Sequence, residues 1–226
     1  MLPINLKTLY RLGPIVFALA VLETLGILLS DNLHMWDRID PTENVYLTED
    51  QSGWLLTGLV VLLIVGLIWL KQKRWARRVF ISYMLLFTFD LVVTTGLMIF
   101  SLAAYKQGTA ADALLWDGML IWLTNVMLFA LWYWLLDAGG PLLRGTPEAN
   151  RCDLVFPLQA NAPAGWANWQ PTFVDYLFLA FTVSTAYSPT DTLFLSRRVK
   201  GLLMIQSTIS LLTFATVVAR AVNIIT

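Results

Sequence analysis

Three ionisable residues sit inside long apolar runs: Glu23, Asp90 and Arg220. A charge at the centre of a bilayer costs about 2.5–3.5 kcal/mol even on the mildest scale, so each needs a physical reason to be there. One reason is a wet pathway in which the group meets an ion or a proton. The other is a buried pair that fixes how helices register. Glu23 and Arg220 fall at a similar depth of their runs and could pair with each other. The sequence alone does not make the partner of Asp90 obvious, and lining a wet cavity is its functional reading. The last apolar run adds a stripe. Gln206, Ser210, Thr213, Thr216, Arg220 and Asn223 fall within an arc of about 140° at helical spacing. Ser207 and Thr208 lie off that arc. Such a stripe must face protein or water. It either lines a pore in an oligomer or packs against other helices, where Ser and Thr are common. A weaker face, Tyr83, Phe87, Asp90, Thr94 and Ser101, belongs to an earlier run, and the two faces could meet.

Other residues are placed by local chemistry. Asp175 opens the run Phe173 to Ala186, where the positive end of a helix favours a carboxylate. Thr185 lies near the end of that run. Asp191 follows Ser188-Pro189-Thr190, a turn sequence. Either aspartate could instead pair with Arg144, Arg197 or Arg198. Asp31, His34, Asp37, Asp40 and Glu43 gather in one polar loop. Their spacing fits no calcium-loop pattern, and they read as a solvated acidic loop that could concentrate cations. No metal site and no cofactor are expected. There is no nucleophile motif, glycine-rich phosphate loop or HExxH pair, so an enzyme is not expected either.

The elements that must position these residues are membrane spans. The chain has 226 residues, 58% of them hydrophobic and only 13% charged. A soluble domain carries roughly 25% charged residues, so the missing charge points to a bilayer as solvent. Fifteen basic and fifteen acidic residues cancel, which predicts no nucleic-acid partner. One cysteine, Cys152, excludes an internal disulfide. Spans are expected over Gly13–Ser30, Trp54–Leu70, Val79 to about Ala104, and Gly118–Leu136. Asp137-Ala-Gly-Gly-Pro141 stops the fourth. A polar loop follows over 139–171. Phe173 to Ala186 is too short to cross comfortably, and Gly201 to about Ile224 is long enough to span. The expected organisation is therefore an all-α polytopic membrane protein. It comprises a four-helix region (1–138), the loop (139–171), and a half-helix, turn and final span (172–226). Tryptophans 116, 122, 132, 134, 166 and 169 read mostly as interfacial anchors.

Basic residues set the orientation. A cytoplasmic N-terminus places Lys7, Arg11, Lys71, Lys73, Arg74, Arg77, Arg78, Arg144 and Arg151 inside, and only Arg38 and Lys106 outside. The apolar start reads as a retained anchor. If 173–188 dips in and returns, Arg197, Arg198 and Lys200 are also cytoplasmic. If it crosses instead, they lie outside and the chain has six spans. Charge bias favours the re-entrant form.

Asp175-Tyr-Leu177, Thr182-Val-Ser-Thr185, Asp191 and Val217-Val-Ala-Arg220 follow the order of the pore half of two-span potassium-type channels, which this stretch resembles. The filter of those channels is not retained. The chain reads Thr185-Ala-Tyr187-Ser-Pro-Thr-Asp191, without the glycines that let successive carbonyls face a dehydrated ion. A second resemblance covers about the last hundred residues. Trp132-Tyr-Trp134, Asp137-Ala-Gly-Gly-Pro141, Phe156-Pro157, Phe173-Val-Asp-Tyr176, Ser188-Pro-Thr-Asp191 and Ala219-Arg-Ala-Val-Asn223 are similar to a family of uncharacterised bacterial integral membrane proteins. That resemblance implies a bacterial plasma membrane and no defined activity. The resulting expectation is a channel-like or small-solute transport protein, homo-oligomeric, not potassium-selective, with a small ion as its possible cargo. The alternative is a non-conducting scaffold or subunit that keeps a channel-like architecture.

Overall fold

The computed structural model describes residues 6–32, 49–70, 72–104, 111–141, 144, 151–167, 169–185 and 191–225. They form α1 (Leu6–Asn32), α2 (Glu49–Trp69), α3 (Lys73–Ala104), α4 (Ala111–Leu136), β1 (Leu154–Val155), α5 (Pro157–Ala160), α6 (Phe173–Ser184), β2 (Leu193–Phe194) and α7 (Arg197–Ile225). The described residues are mostly helical, which agrees with the expected all-α class. Three described stretches are long and apolar enough to cross a membrane: Arg74–Phe100, Leu115–Gly139 and Arg197–Ala219. Val16–Leu29, Leu55–Trp69 and Phe173–Ser184 are shorter apolar stretches.

The helices run past the expected spans at several ends. α3 begins at Lys73 rather than Val79, and α7 begins at Arg197 rather than Gly201. Arg197, Arg198 and Lys200 therefore lie on the first turn of the last helix. A hydropathy pattern finds the apolar core of a helix but not its polar extensions into the interface. The second difference is β1 and β2, which pair antiparallel with Leu154 opposite Phe194 and Val155 opposite Leu193. Two-residue strands carry too little alternation to be visible in a sequence.

The chain forms two compact units. One takes residues 1–18 and 125–210, the other 19–124 and 211–226.

In the second unit, α2 packs beside α3. Gly118 lies so close to Val217 and Met98 that a Cβ there would come within 2.5 Å of Val217 Cγ2. Leu55, Leu59, Leu62, Leu86 and Phe89 are exposed. An apolar face of that extent is stable in lipid and a liability in water.

In the first unit, residues 128–135 of α4 are buried on all sides. Trp132 and Trp134 are thus core residues rather than interfacial anchors, and the Trp134 ring packs against Phe173 at 5.1 Å. α6 buries Phe173, Tyr176, Leu179, Ala180 and Val183 and exposes Val174 and Phe178. Its start is capped by Asp175, whose Oδ2 accepts the Thr172 N–H at 2.7 Å and the Thr172 hydroxyl at 2.8 Å. At 12 residues it is about 18 Å long, roughly half the depth needed to cross.

α4 ends in a strained turn. A 3-10 turn covers Asp137–Gly139, and Ala138, Gly139 and Gly140 all have positive φ (51°, 85° and 87°). A Cβ on Gly140 would stand 2.8 Å from the Leu135 carbonyl oxygen. This geometry turns the chain sharply and buries Asp137 beneath the turn.

Candidate functional site: a short helix held at both ends by buried polar side chains

Asp137 joins the end of α4 to the segments on either side of α6. Its Oδ1 accepts the backbone N–H groups of Asp153 (2.9 Å) and Leu154 (3.1 Å). Its Oδ2 accepts the Tyr176 hydroxyl at 2.6 Å and lies 3.6 Å from the Arg144 guanidinium. Arg144 also donates to the carbonyls of Trp134 and Asp137 and stacks over the Tyr176 ring at 5.0 Å. Arg198, on the first turn of α7, reaches the buried Asp153 at 3.6 Å. The Leu195 N–H donates to the Asp153 carbonyl at 3.0 Å. The end of α4, the ribbon and the start of α7 therefore meet in one place. α6 leaves from there and the chain comes back to it.

The other end of α6 is held by side chains deep in the helices. Gln206 Nε2 donates to the Ala180 carbonyl and to Ser184 Oγ, both at 2.8 Å. Gln206 Oε1 accepts the Tyr133 hydroxyl. The Ser210 hydroxyl donates to the Ser184 carbonyl at 3.0 Å. Asn125, with no exposed surface, points its Nδ2 at the Gln206 carbonyl (3.3 Å), Ser210 Oγ (3.3 Å) and Ser184 Oγ (3.5 Å). Gln206 and Ser210 lie about 14 and 20 Å along α7 from its first residue, and Asn125 about 18 Å before Asp137. The carboxyl end of α6 thus sits roughly half a bilayer away from Asp137.

Four residues of the expected stripe, Gln206, Ser210, Thr213 and Thr216, are buried, whereas Ser207 and Thr208 are exposed. The arc read from spacing is the protein-facing side of α7. The side chains of Arg220 and Asn223 lie outside the described residues. The acidic loop with His34 lies outside them too, except that Asp31 is the penultimate residue of α1. Thr185 caps α6, its hydroxyl donating to the carbonyls of Phe181 (3.1 Å) and Thr182 (3.2 Å). Asp191 is exposed just before β2.

Glu23 and Asp90 belong to the second unit. Glu23 is buried, and its Oε1 accepts the hydroxyls of Thr57 and, at 2.7 Å, Tyr83, which ties α1, α2 and α3 together. Asp90 is on an exposed face of α3 near Leu86, Phe89 and Val93, while Tyr83 on the same helix is buried. The face grouped from sequence therefore divides between buried and exposed sides. Among the described residues no group of three or more His, Cys, Asp or Glu could hold a metal ion.

Sequence reasoning passed over Asn125, Tyr133, Asp137 as a buried carboxylate, and the pairing of Thr57 and Tyr83 with Glu23. Asn125 carried one signal: it is an amide in an otherwise apolar stretch, which must find partners in a membrane. Comparison of the chain with protein-family models, with curated proteins and with solved structures gives no match.

Proposed function

We propose that the chain is a channel-like or small-solute transport protein of a cell membrane. In this reading four spans precede a re-entrant half-helix, α6, and α7 is the final span. The observation that carries it is the closed excursion of α6. The β1–β2 ribbon joins the segments before and after α6, while the far end of α6 is bonded to residues about 14–20 Å along α7. From Thr185 to Asp191 the chain has six peptide steps, enough to reach about 20 Å when extended. A helix that enters halfway and returns as a short strand of chain is the arrangement used where irregular backbone lines a polar path at membrane depth. It also accords with the resemblance of 175–224 to a channel pore module. The sequence Thr185-Ala-Tyr-Ser-Pro-Thr-Asp191 has no glycine, so potassium selectivity of the usual kind is not part of the proposal. A bacterial plasma membrane, a cytoplasmic amino end and a homo-oligomer complete the reading.

One observation favours the second reading, a non-conducting subunit with channel-like architecture. Gln206, Ser210, Thr213 and Thr216 are buried against protein rather than open along a groove. Ion flux separates the two. Purified protein in liposomes should carry potassium, sodium, chloride or protons down an imposed gradient, and Gln206→Ala should alter the rate. No flux under any of the four gradients would favour the subunit reading.

A further inference from the structure

The β1–β2 ribbon and the first turn of α7 gather positive charge. The Leu195 N–H donates to the Asp153 carbonyl, which carries the ribbon register one pair further. Arg151 lies two residues before that pair and Arg197 two residues after it, and both are exposed. Arg198 and Lys200 are exposed on the same first turn as Arg197. Beyond the Asp137–Arg144 pair, four cations therefore share this end with two carboxylates. Asp153 is buried with Arg198 3.6 Å from its Oδ1, and Asp191 is exposed just before β2. The first turn of α7 holds no acidic residue and adds the partial positive charge of a helix start. Like charges brought level on antiparallel neighbours repel. A surface that collects them is suited to an anion.

The side chains among these cations indicate which anion. Exposure alternates from Leu193 through Leu195 to Arg197, as on one face of an extended chain. Both leucines are more than half exposed. On α7, Lys200 and Met204 are four residues apart and both exposed, so a cation is followed one turn on by an apolar side chain. Thr208, a further turn along, spends its hydroxyl on the Met204 carbonyl at 2.8 Å. A free phosphate has no use for exposed leucines and a methionine, whereas a lipid carries both a phosphate and chains. Arg197 also opens the stretch Arg197–Ala219, long and apolar enough to cross a membrane. Cations on the first turn of such a helix stand at headgroup depth.

We propose that Arg151, Arg197 and Lys200, with Leu193, Leu195 and Met204, bind an anionic phospholipid, its phosphate on the cations and its chains along the apolar side chains. The site needs α7 to be a span and stands whichever way α6 runs.

The test is thermal unfolding of the purified full-length protein in a neutral detergent, titrated with phosphatidylglycerol, phosphatidylcholine or soluble glycerol phosphate. Phosphatidylglycerol should raise the midpoint saturably, and added salt should weaken the effect. Phosphatidylcholine and glycerol phosphate should leave the midpoint where it is. Replacing two of the cations together, Arg197→Gln with Lys200→Gln, should weaken phosphatidylglycerol binding about tenfold. Arg151→Gln should weaken it less, and decides the matter if the double variant does not fold. Equal shifts with the two phospholipids would overturn the site, as would unchanged affinity in the variants. A shift of the same size with glycerol phosphate would show a site for free phosphate and overturn the lipid assignment.

Discussion

Gln206 Nε2 donates to the Ala180 carbonyl at 2.8 Å, which fastens the last turn of a half-length helix to a full-length one. The same amide takes the Tyr133 hydroxyl, so one side chain joins α4, α6 and α7. Gln206→Leu should leave the Tyr133 hydroxyl unpaired in a dry interior and the Ala180 carbonyl with only its bond inside α6. The expected cost is about 2–3 kcal/mol, read as a lower unfolding midpoint in detergent. A variant as stable as the parent would mean that these groups find water.

Asp137 should be less replaceable still. Asn at this position keeps the size but must present a nitrogen either to two backbone N–H groups or to the Tyr176 hydroxyl and Arg144. Asp137→Asn should destabilise by about 3–5 kcal/mol, as removing one partner of a buried ion pair does. Tyr176→Phe removes one hydrogen bond and should cost only about 1 kcal/mol. The two variants compared by thermal unfolding test whether Asp137 is the hub.

The turn after Asp137 predicts substitutions of opposite sign. Gly140→Ala forces a Cβ to within 2.8 Å of the Leu135 carbonyl oxygen at a φ of 87° and should destabilise by about 1–2 kcal/mol. Ala138→Gly relieves a left-handed alanine at a φ of 51° and should be neutral or stabilising by up to about 1 kcal/mol. Unfolding midpoints of the two variants should move apart.

Cys152 offers a pH reading outside the spans. Partial burial, then the nearby Asp137 carboxylate, push its thiol above the ordinary range, with Arg144 opposing. A raised value means less thiolate at any given pH. Although the residue is exposed, its modification should be slower than that of a free cysteine at neutral pH. The deficit should close as the pH rises past the ordinary thiol range. Rates measured with a thiol reagent from pH 7 to 10 check this.

The helices were legible because the bilayer leaves a chain few alternatives. Apolar runs of span length and a missing share of charge suffice to indicate helices crossing lipid. The short length of the run from Phe173 and the stripe of Gln206, Ser210, Thr213 and Thr216 were also visible, since both are local. What joins them was not. Asp137 looks like part of a helix stop, and only the fold brings Asp153, Tyr176 and Arg144 to it. Trp132 and Trp134 look like interfacial anchors because a tryptophan near a helix end usually is one. Here the surrounding elements bury them. Asn125 is a single polar letter in an apolar window, and its partners are 59 to 85 residues away.

The half-helix proposal requires that α6 enters and leaves on one face of the membrane. Single cysteines at Gln170 and Leu193, in a Cys152→Ser background, bracket the excursion. An impermeant thiol reagent applied to intact cells and to permeabilised cells reads the side of each. Both should be labelled only after permeabilisation. Labelling of Gln170→Cys and Leu193→Cys from opposite sides would show that α6 crosses, and would contradict it.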